Sequence, residues 1–255
     1  MITGRIIHGD VLNVIDTHCC SNNIDLVYID PPFNTGKKMS GSDGNSYSDS
    51  MEFDYYLDFM KDVVENIKEK VLSEDGTIFV HLDWRMVHYV KVEVMDKIFG
   101  KSHFLNEIIW KYALGGSGNK YFPRKHDSIL WYRNGNNYFF NPPKTPCTSS
   151  GLKGKMKKLG DVWEYTLSNN NSERVGYPTQ KPIWLLDKII YSTLQPGGTV
   201  ADFFCGSGTT AVSAVRSMNS FIVSDRKEEA INVTTERVKL CKEYESGKVD
   251  IQVTK

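Results

Sequence analysis

Two short clusters in this 255-residue sequence carry groups able to do chemistry. Asp30-Pro31-Pro32-Phe33 follows the apolar, β-branched run Ile24–Ile29, so a carboxylate, a stiffened turn and an aromatic ring would project together from a strand end. Asp30 offers an anionic hydrogen-bond acceptor. Proline fixes φ, which would aim the Pro31 carbonyl as a second acceptor. Two acceptors beside an aromatic face suit an amino group on a planar heterocycle, whose delocalised lone pair must be oriented toward its electrophile. If that heterocycle were a base rotated out of a duplex, Phe33 would restore part of the lost stacking. An ordinary capped turn at a strand end uses the same residue types without chemistry.

The second cluster is Ala201-Asp202-Phe203-Phe204-Cys205-Gly206-Ser207-Gly208-Thr209-Thr210, read as a strand, a glycine-containing turn and a helix beginning near Thr209. Gly206 and Gly208 permit close backbone approach to a nucleotide-like cofactor. The Lys-Ser or Lys-Thr of a phosphate loop is missing, while a dinucleotide turn remains open on spacing alone. One strand later, Ser220–Ser224 leads to Asp225, placed where a carboxylate can take both hydroxyls of a ribose.

Together these clusters resemble the amino-methyltransferases of DNA, specifically the circularly permuted β group in which an Asp-Pro-Pro-aromatic catalytic motif precedes the cofactor motif. Phe203 departs from the proline usual at that position. Phe79-Val80-His81-Leu82-Asp83-Trp84 and Tyr177-Pro178-Thr179-Gln180-Lys181-Pro182 are similar to two further family segments. The resemblance runs from about Ile7 to about Val238, with no counterpart for Asn141–Gly160. It implies a Rossmann-like α/β methyltransferase fold and S-adenosylmethionine as methyl donor. It implies double-stranded DNA as substrate, with transfer to N6 of adenine because an aspartate opens the motif; N4 of cytosine stays open, as does RNA.

The same resemblance implies roles. Asp30, Pro31, Pro32 and Phe33 would be catalytic. Asp202, Phe204, Cys205, Gly206, Ser207, Gly208 and Thr209 would line the cofactor, with Lys181 near its methionine carboxylate, Asp225 on its ribose and Asp10 near its adenine. His81 and Asp83 are further pocket candidates. A homodimer and a cognate restriction endonuclease are the partners the family allows. Carbon methylation of cytosine would need a nucleophilic cysteine after proline, and Pro146-Cys147 alone has that form, within a loop-rich stretch.

Composition narrows the classes. Lys plus Arg and Asp plus Glu number 31 each, so any nucleic-acid surface must be local rather than a bulk charge effect. Lys111, Lys120, Arg124 and Lys125 form one such surface, interleaved with aromatics and glycines, and Lys153–Lys158 forms another; they offer phosphate contacts. A nicotinamide-dependent oxidoreductase would use the glycine turn and Asp225 but leaves Asp30–Phe33 idle. A DNA-binding module without catalysis would use the basic loops but not a cofactor pocket. No apolar run reaches the roughly 20 residues of a membrane helix, and the start lacks a signal-peptide pattern, so a cytoplasmic protein is expected. Five cysteines without metal-ligand spacing predict reduced, non-ligating thiols and no metal.

These residues need a scaffold that delivers them to one edge. Strands are predicted at Ile24–Ile29, Thr77–Leu82, Thr199–Phe204 and Ser220–Ser224, alternating with amphipathic helices at Tyr55–Leu72 and Met86–Phe99 that Gly76 and Gly100 would stop. The pattern predicts an α/β fold, a mostly parallel sheet with helices on both faces, whose ligands bind beyond the carboxyl ends of the strands. One domain is expected: residues 1–140 catalytic, 141–165 a loop-rich insertion and candidate target-recognition element, 166–255 cofactor-binding.

Overall fold

The computed structural model describes residues 1–19, 21–40, 46–49, 51–113, 118–167 and 171–254. Cys20 and residues 114–117 of the basic, aromatic segment lie outside them. The chain opens with strand β1 (Ile2–His8), helix α1 (Val11–His18) and β2 (Ile24–Ile29), then a small hairpin of β3 (Lys37–Ser40) and β4 (Ser46–Asp49). Helix α2 (Phe53–Asn66) follows, widens into a π-helical stretch over Ile67–Val71, and gives way to β5 (Leu72–Leu82). Next come α3 (Val87–Tyr89), a second π-helical stretch at Val90–Met95 and α4 (Asp96–Ile98), which together form one continuous helical segment. Strands β6 (Phe104–Lys111) and β7 (His126–Arg133) lead to a second hairpin, β8 (Lys144–Pro146) with β9 (Met156–Lys158), and to β10 (Val162–Glu164). The last third holds α5 (Ile183–Thr193), β11 (Thr199–Asp202), α6 (Thr209–Arg216), β12 (Ser220–Asp225), α7 (Glu228–Lys239), α8 (Lys242–Glu245) and β13 (Val249–Thr254).

Nine strands form one sheet in the order β10-β6-β7-β5-β2-β11-β12-β1-β13. All run parallel except β7, which pairs antiparallel with both β5 and β6. Alternation along each strand divides the core in two. Val27, Ile29, Ile78 and Val80 face α1, α2 and the α3–α4 segment, whereas Leu26, Tyr28 and Phe79 share a cluster with α5, α6 and α7. The inward stripe Tyr56, Met60, Val63, Val64, Ile67, Val71 shows why this stretch is helical: its spacing of three and four residues places every member on one face, and all six are buried. Truncating one such side chain to alanine costs about 2–5 kcal/mol.

Strand order is what assembles the site. β2, β11, β12 and β1 are consecutive and parallel, in register Val200↔Leu26, Asp202↔Val223 and His8↔Asp225. Their carboxyl ends therefore form one rim that brings together Asp30, Asp202, Asp225 and Asp10, residues far apart in sequence. β5 and β6 run the same way, so Trp84 and the chain from Lys111 to His126 leave the sheet at the same rim.

Candidate active site

A cleft opens along that rim, lined from β2 by Asp30, Pro31, Pro32 and Phe33, and from the β11–α6 turn by Phe204, Cys205, Gly206 and Ser207. Tyr28 and Asp202 form part of its lining, as do Asp225 and Asp10.

The turn after β2 is held from outside. The Tyr56 hydroxyl on α2 donates to the Pro32 carbonyl at 2.8 Å, and Asn34, in the left-handed region at φ +53°, accepts the Met51 amide at 2.7 Å. No protein donor among the described residues reaches the Pro31 carbonyl. Asp30 turns into the cleft, where its Oδ2 meets the Lys181 ammonium and its Oδ1 is buried with no hydrogen-bond partner. A buried carboxylate oxygen left unpaired is costly, and it belongs to a residue that borders the cleft. Lys181 also lies 5.1 Å from the centre of the Phe33 ring. The resemblance assigned Lys181 to a cofactor carboxylate; the structure pairs it with the catalytic candidate itself.

Lys181 is delivered by a braced loop. Gln180 is buried, accepting the Val175 amide and donating to the Glu173 carbonyl, and Glu173 accepts the Ile183 amide at 2.6 Å at the head of α5. The Thr209 hydroxyl donates to the Lys181 carbonyl at 2.9 Å, tying this loop to the head of α6.

In the glycine turn, Asp202 is buried at the end of β11 and accepts both the Thr210 hydroxyl and the Phe204 amide. Burial pushes its carboxyl up to about 7 against those two hydrogen bonds, with Asp30 and Asp225 nearby adding to the rise. Asp225 accepts the Gly206 amide at 3.0 Å and the Lys227 amide at 2.9 Å, leaving lone pairs toward the cleft. Burial raises its pKa too, opposed by those amides. Asp10 caps α1 by accepting the Leu12 amide at 3.1 Å, and faces the cleft from the far end of the rim.

Several expected residues serve the packing of the fold as well as, or instead of, lining the cleft. A side chain on Gly208, at φ +76°, would meet Thr234 at 2.4 Å, so its smallness is demanded by α7, and it does not border the cleft. Gly206, at φ +49°, faces Tyr177, which a Cβ would approach to 3.2 Å. Cys205 borders the cleft, but its sulfur lies 3.7 Å from the Thr234 hydroxyl and burial raises its pKa well above the ordinary thiol value. Phe203, the departure from proline, is buried in the first core, and Phe204 packs edge-on to Phe59 at 6.3 Å. His81 lies behind Phe33 and Asp83 pairs with Arg85, so neither borders the cleft.

Sequence reasoning missed several contributors. Arg237 is buried and donates to the Ser207 carbonyl at 2.7 Å, locking the turn from α7. Tyr28 lines the walls, as do Met51, Phe59, Leu186 and Tyr177, the last named in the sequence only as part of its segment. An arginine within an apolar helical stripe was the one available signal for the first.

Of the four basic candidates, Lys111 pairs with Glu164 at 3.0 Å and Lys125 donates to the Ala113 carbonyl at 3.1 Å. Arg124 lies 3.7 Å above the Trp84 ring and 4.4 Å from Tyr121. Lys120 is exposed, and beside it Phe122 is 95% exposed.

The architecture and sequence both have relatives. The chain is 29% identical over 225 residues to the Type II methyltransferase M.HpaI of Haemophilus parainfluenzae, covering 85% of this chain and 68% of that protein. It is 26% identical over 257 residues to the DNA adenine methyltransferase YhdJ of Escherichia coli (strain K12), covering 94% and 84%. The crystal structure of the M1.HpyAVI–SAM complex superposes with a TM-score of 0.67 at 20% identity, over 93% of this chain and 100% of that one, which shows the shared fold. The DNA methylase model for N6 and N4 amino-methyltransferases matches residues 24–236, spanning both the β2 and the β11 clusters, and the chain belongs to that family.

Proposed function

We propose that the protein transfers a methyl group from S-adenosylmethionine to the N6 amino group of adenine in double-stranded DNA, as a member of the permuted β group. The observation that carries the reading is Asp30: a residue lining the same cleft as the Gly206 turn, one carboxylate oxygen of which is buried and unpartnered, next to Pro31, whose carbonyl no described residue donates to, and the Phe33 ring.

The residues present fit the cofactor. Asp225 is presented for a diol and Asp10 for an adenine edge. Asp30 and Asp225 bring carboxylates to the cleft for a cationic sulfonium, while Lys181, Arg226 and Lys227 line it with cations. Bound there, S-adenosylmethionine supplies a methyl group activated by that sulfonium.

The chain's part is orientation and charge. Asp30 and the Pro31 carbonyl accept the two amino hydrogens, which aims the nitrogen lone pair and stabilises the positive charge that develops on it. Phe33 offers its face to the extruded base. Lys181 must yield Asp30 as the amino group arrives, because a cation there opposes the developing charge. DNA is held by the rim beside the cleft, where Arg124 on Trp84, Arg85, Lys120 and the exposed Phe122 combine cations with aromatic faces. The segment 141–165, with its β8–β9 hairpin and lysines, is the second candidate for target recognition. A cytoplasmic enzyme acting beside a cognate restriction endonuclease, as a homodimer, is the setting we infer.

The test is incubation with methyl-labelled S-adenosylmethionine and unmethylated genomic DNA, followed by mass spectrometry of the nucleosides. Label in N6-methyladenine is expected. Label in N4-methylcytosine would keep the mechanism and change the base. Label in RNA alone, or in neither nucleic acid, contradicts the reading.

A further inference from the structure

Behind Phe33 a chain of buried polar groups crosses the second face of the sheet. His81 has no solvent exposure, and its ring lies 5.8 Å from the Phe33 ring, tilted by 38°, and edge-on to Trp110 at 5.6 Å. Its Nδ1 is 2.7 Å from the Tyr28 hydroxyl and its Nε2 is 3.3 Å from Asp127 Oδ2. The other oxygen of Asp127 accepts the Tyr112 hydroxyl at 2.9 Å.

Proton positions follow from the partners. Burial, reinforced by Asp30, pushes Tyr28 well above its ordinary pKa, so its hydroxyl stays protonated and donates to Nδ1. Burial also acts to raise Asp127, but the hydrogen bonds from His81 and the Tyr112 hydroxyl, with Lys181 nearby, outweigh it and hold the carboxyl below its usual range. A single proton on Nε2 then satisfies the whole chain.

Such a chain is an expensive way to fill a core. Each member must be paired or it destabilises the fold, where an apolar residue of the same size carries no such risk. Its two ends explain its place. Tyr28 borders the cleft, and Tyr112 stands at the root of the basic, aromatic segment, its amide bonded to the Lys125 carbonyl at 2.9 Å.

Resting on the reading of Asp30–Phe33 as the target-base site, we propose that His81 is a positioning residue: through Tyr28, Asp127 and Tyr112 it fixes the Phe33 ring and couples the base site to the root of the DNA-contacting segment. It touches no reacting atom, and its effect is on where the base comes to rest.

The test compares wild type with His81→Leu, His81→Gln and Tyr112→Phe, using calorimetry with S-adenosylhomocysteine, steady-state methylation, and fluorescence of a duplex with 2-aminopurine at the methylated position. His81→Leu is expected to bind S-adenosylhomocysteine within about twofold of wild type while kcat falls roughly 10- to 100-fold, the scale of a misplaced reactant. The 2-aminopurine signal should fall with it. Glutamine, which can both accept from Tyr28 and donate to Asp127, should restore most of both. Tyr112→Phe removes one hydroxyl, keeps the test open if the leucine variant does not fold, and should lower kcat and weaken the 2-aminopurine signal to a smaller extent. Wild-type kcat and fluorescence in His81→Leu or in Tyr112→Phe would overturn the proposal, and so would loss of cofactor affinity in step with kcat. A wild-type protein that methylates no DNA overturns the target-base reading instead, so the two failures are distinct.

Discussion

At Asp202, burial and neighbouring carboxylates favour the protonated acid, while Thr210 and Phe204 hold the anion. The folded chain keeps this proton until about pH 7, whereas an unfolded aspartate releases it near pH ~4. Between those values the folded state binds more protons, so this group destabilises the fold progressively as pH rises, with no further change above the folded value. Asp202→Asn should remove the effect. Its gain in thermal stability is expected to be larger at about pH 8 than at about pH 5, with about 4 kcal/mol as the ceiling; equal gains at both pH values would contradict this account of Asp202. The residue was legible in the sequence because it ends a strand before a glycine turn. The Asp30 pairing of Lys181 was not, because it joins residues 151 apart and depends on how the Glu173–Gln180 loop is braced.

The elements were legible wherever period and punctuation agreed. The run Ile24–Ile29 is a strand with the bounds read from the sequence, and the helix expected near Thr209 starts there. The expected helix to Leu72 instead ends in a π-helical stretch at Val71, and Gly76 lies inside β5 rather than stopping a helix. The polar residues Ser73, Glu74 and Asp75 disguised that strand. Its register slips against β2 between Ile24 and Leu26, and a side chain on Gly76 would meet Leu72 at 2.8 Å and the Ile24 carbonyl at 3.0 Å; a glycine in a strand at such an irregularity is what close backbone approach requires. The β8–β9 hairpin was hidden among prolines and glycines without period. Gly208 belongs to this scale too. Gly208→Ala should destabilise by about 1–3 kcal/mol, from the left-handed conformation plus the clash with Thr234. Adding Thr234→Ala removes the two nearest atoms but leaves the Thr234 Cβ at 2.7 Å, so it should recover only part of the loss, read as shifts in urea midpoints. A double variant no more stable than Gly208→Ala would deny that Thr234 is what demands the glycine.

For the whole molecule, parallel order does the assembling: four consecutive strands turn distant aspartates into one rim, and β5 and β6 carry the aromatic, basic surface to the same side. A net charge of zero gave no bulk sign of that surface, which was legible only as the local cluster from Lys111 to Lys125. Arg124→Ala, which also frees the faces of Trp84 and Tyr121, should raise the Kd for duplex DNA about tenfold and flatten its salt dependence by roughly one counterion, with cofactor affinity unchanged. Unaltered DNA affinity in filter-binding or anisotropy titrations across salt would remove this rim from the DNA interface.

The central claim is that one cleft holds two separable ends, with Asp30 serving the amino group and the Asp225–Gly206 turn serving the cofactor. Asp30→Ala tests it most directly, with methyl transfer to DNA and calorimetric affinity for S-adenosylhomocysteine measured on the same preparation. Transfer should fall by roughly 10³-fold or more, in the range of lost charge stabilisation. Cofactor affinity should stay level or tighten, because Lys181 is released. Loss of both in parallel, or transfer that survives the substitution, would contradict the account.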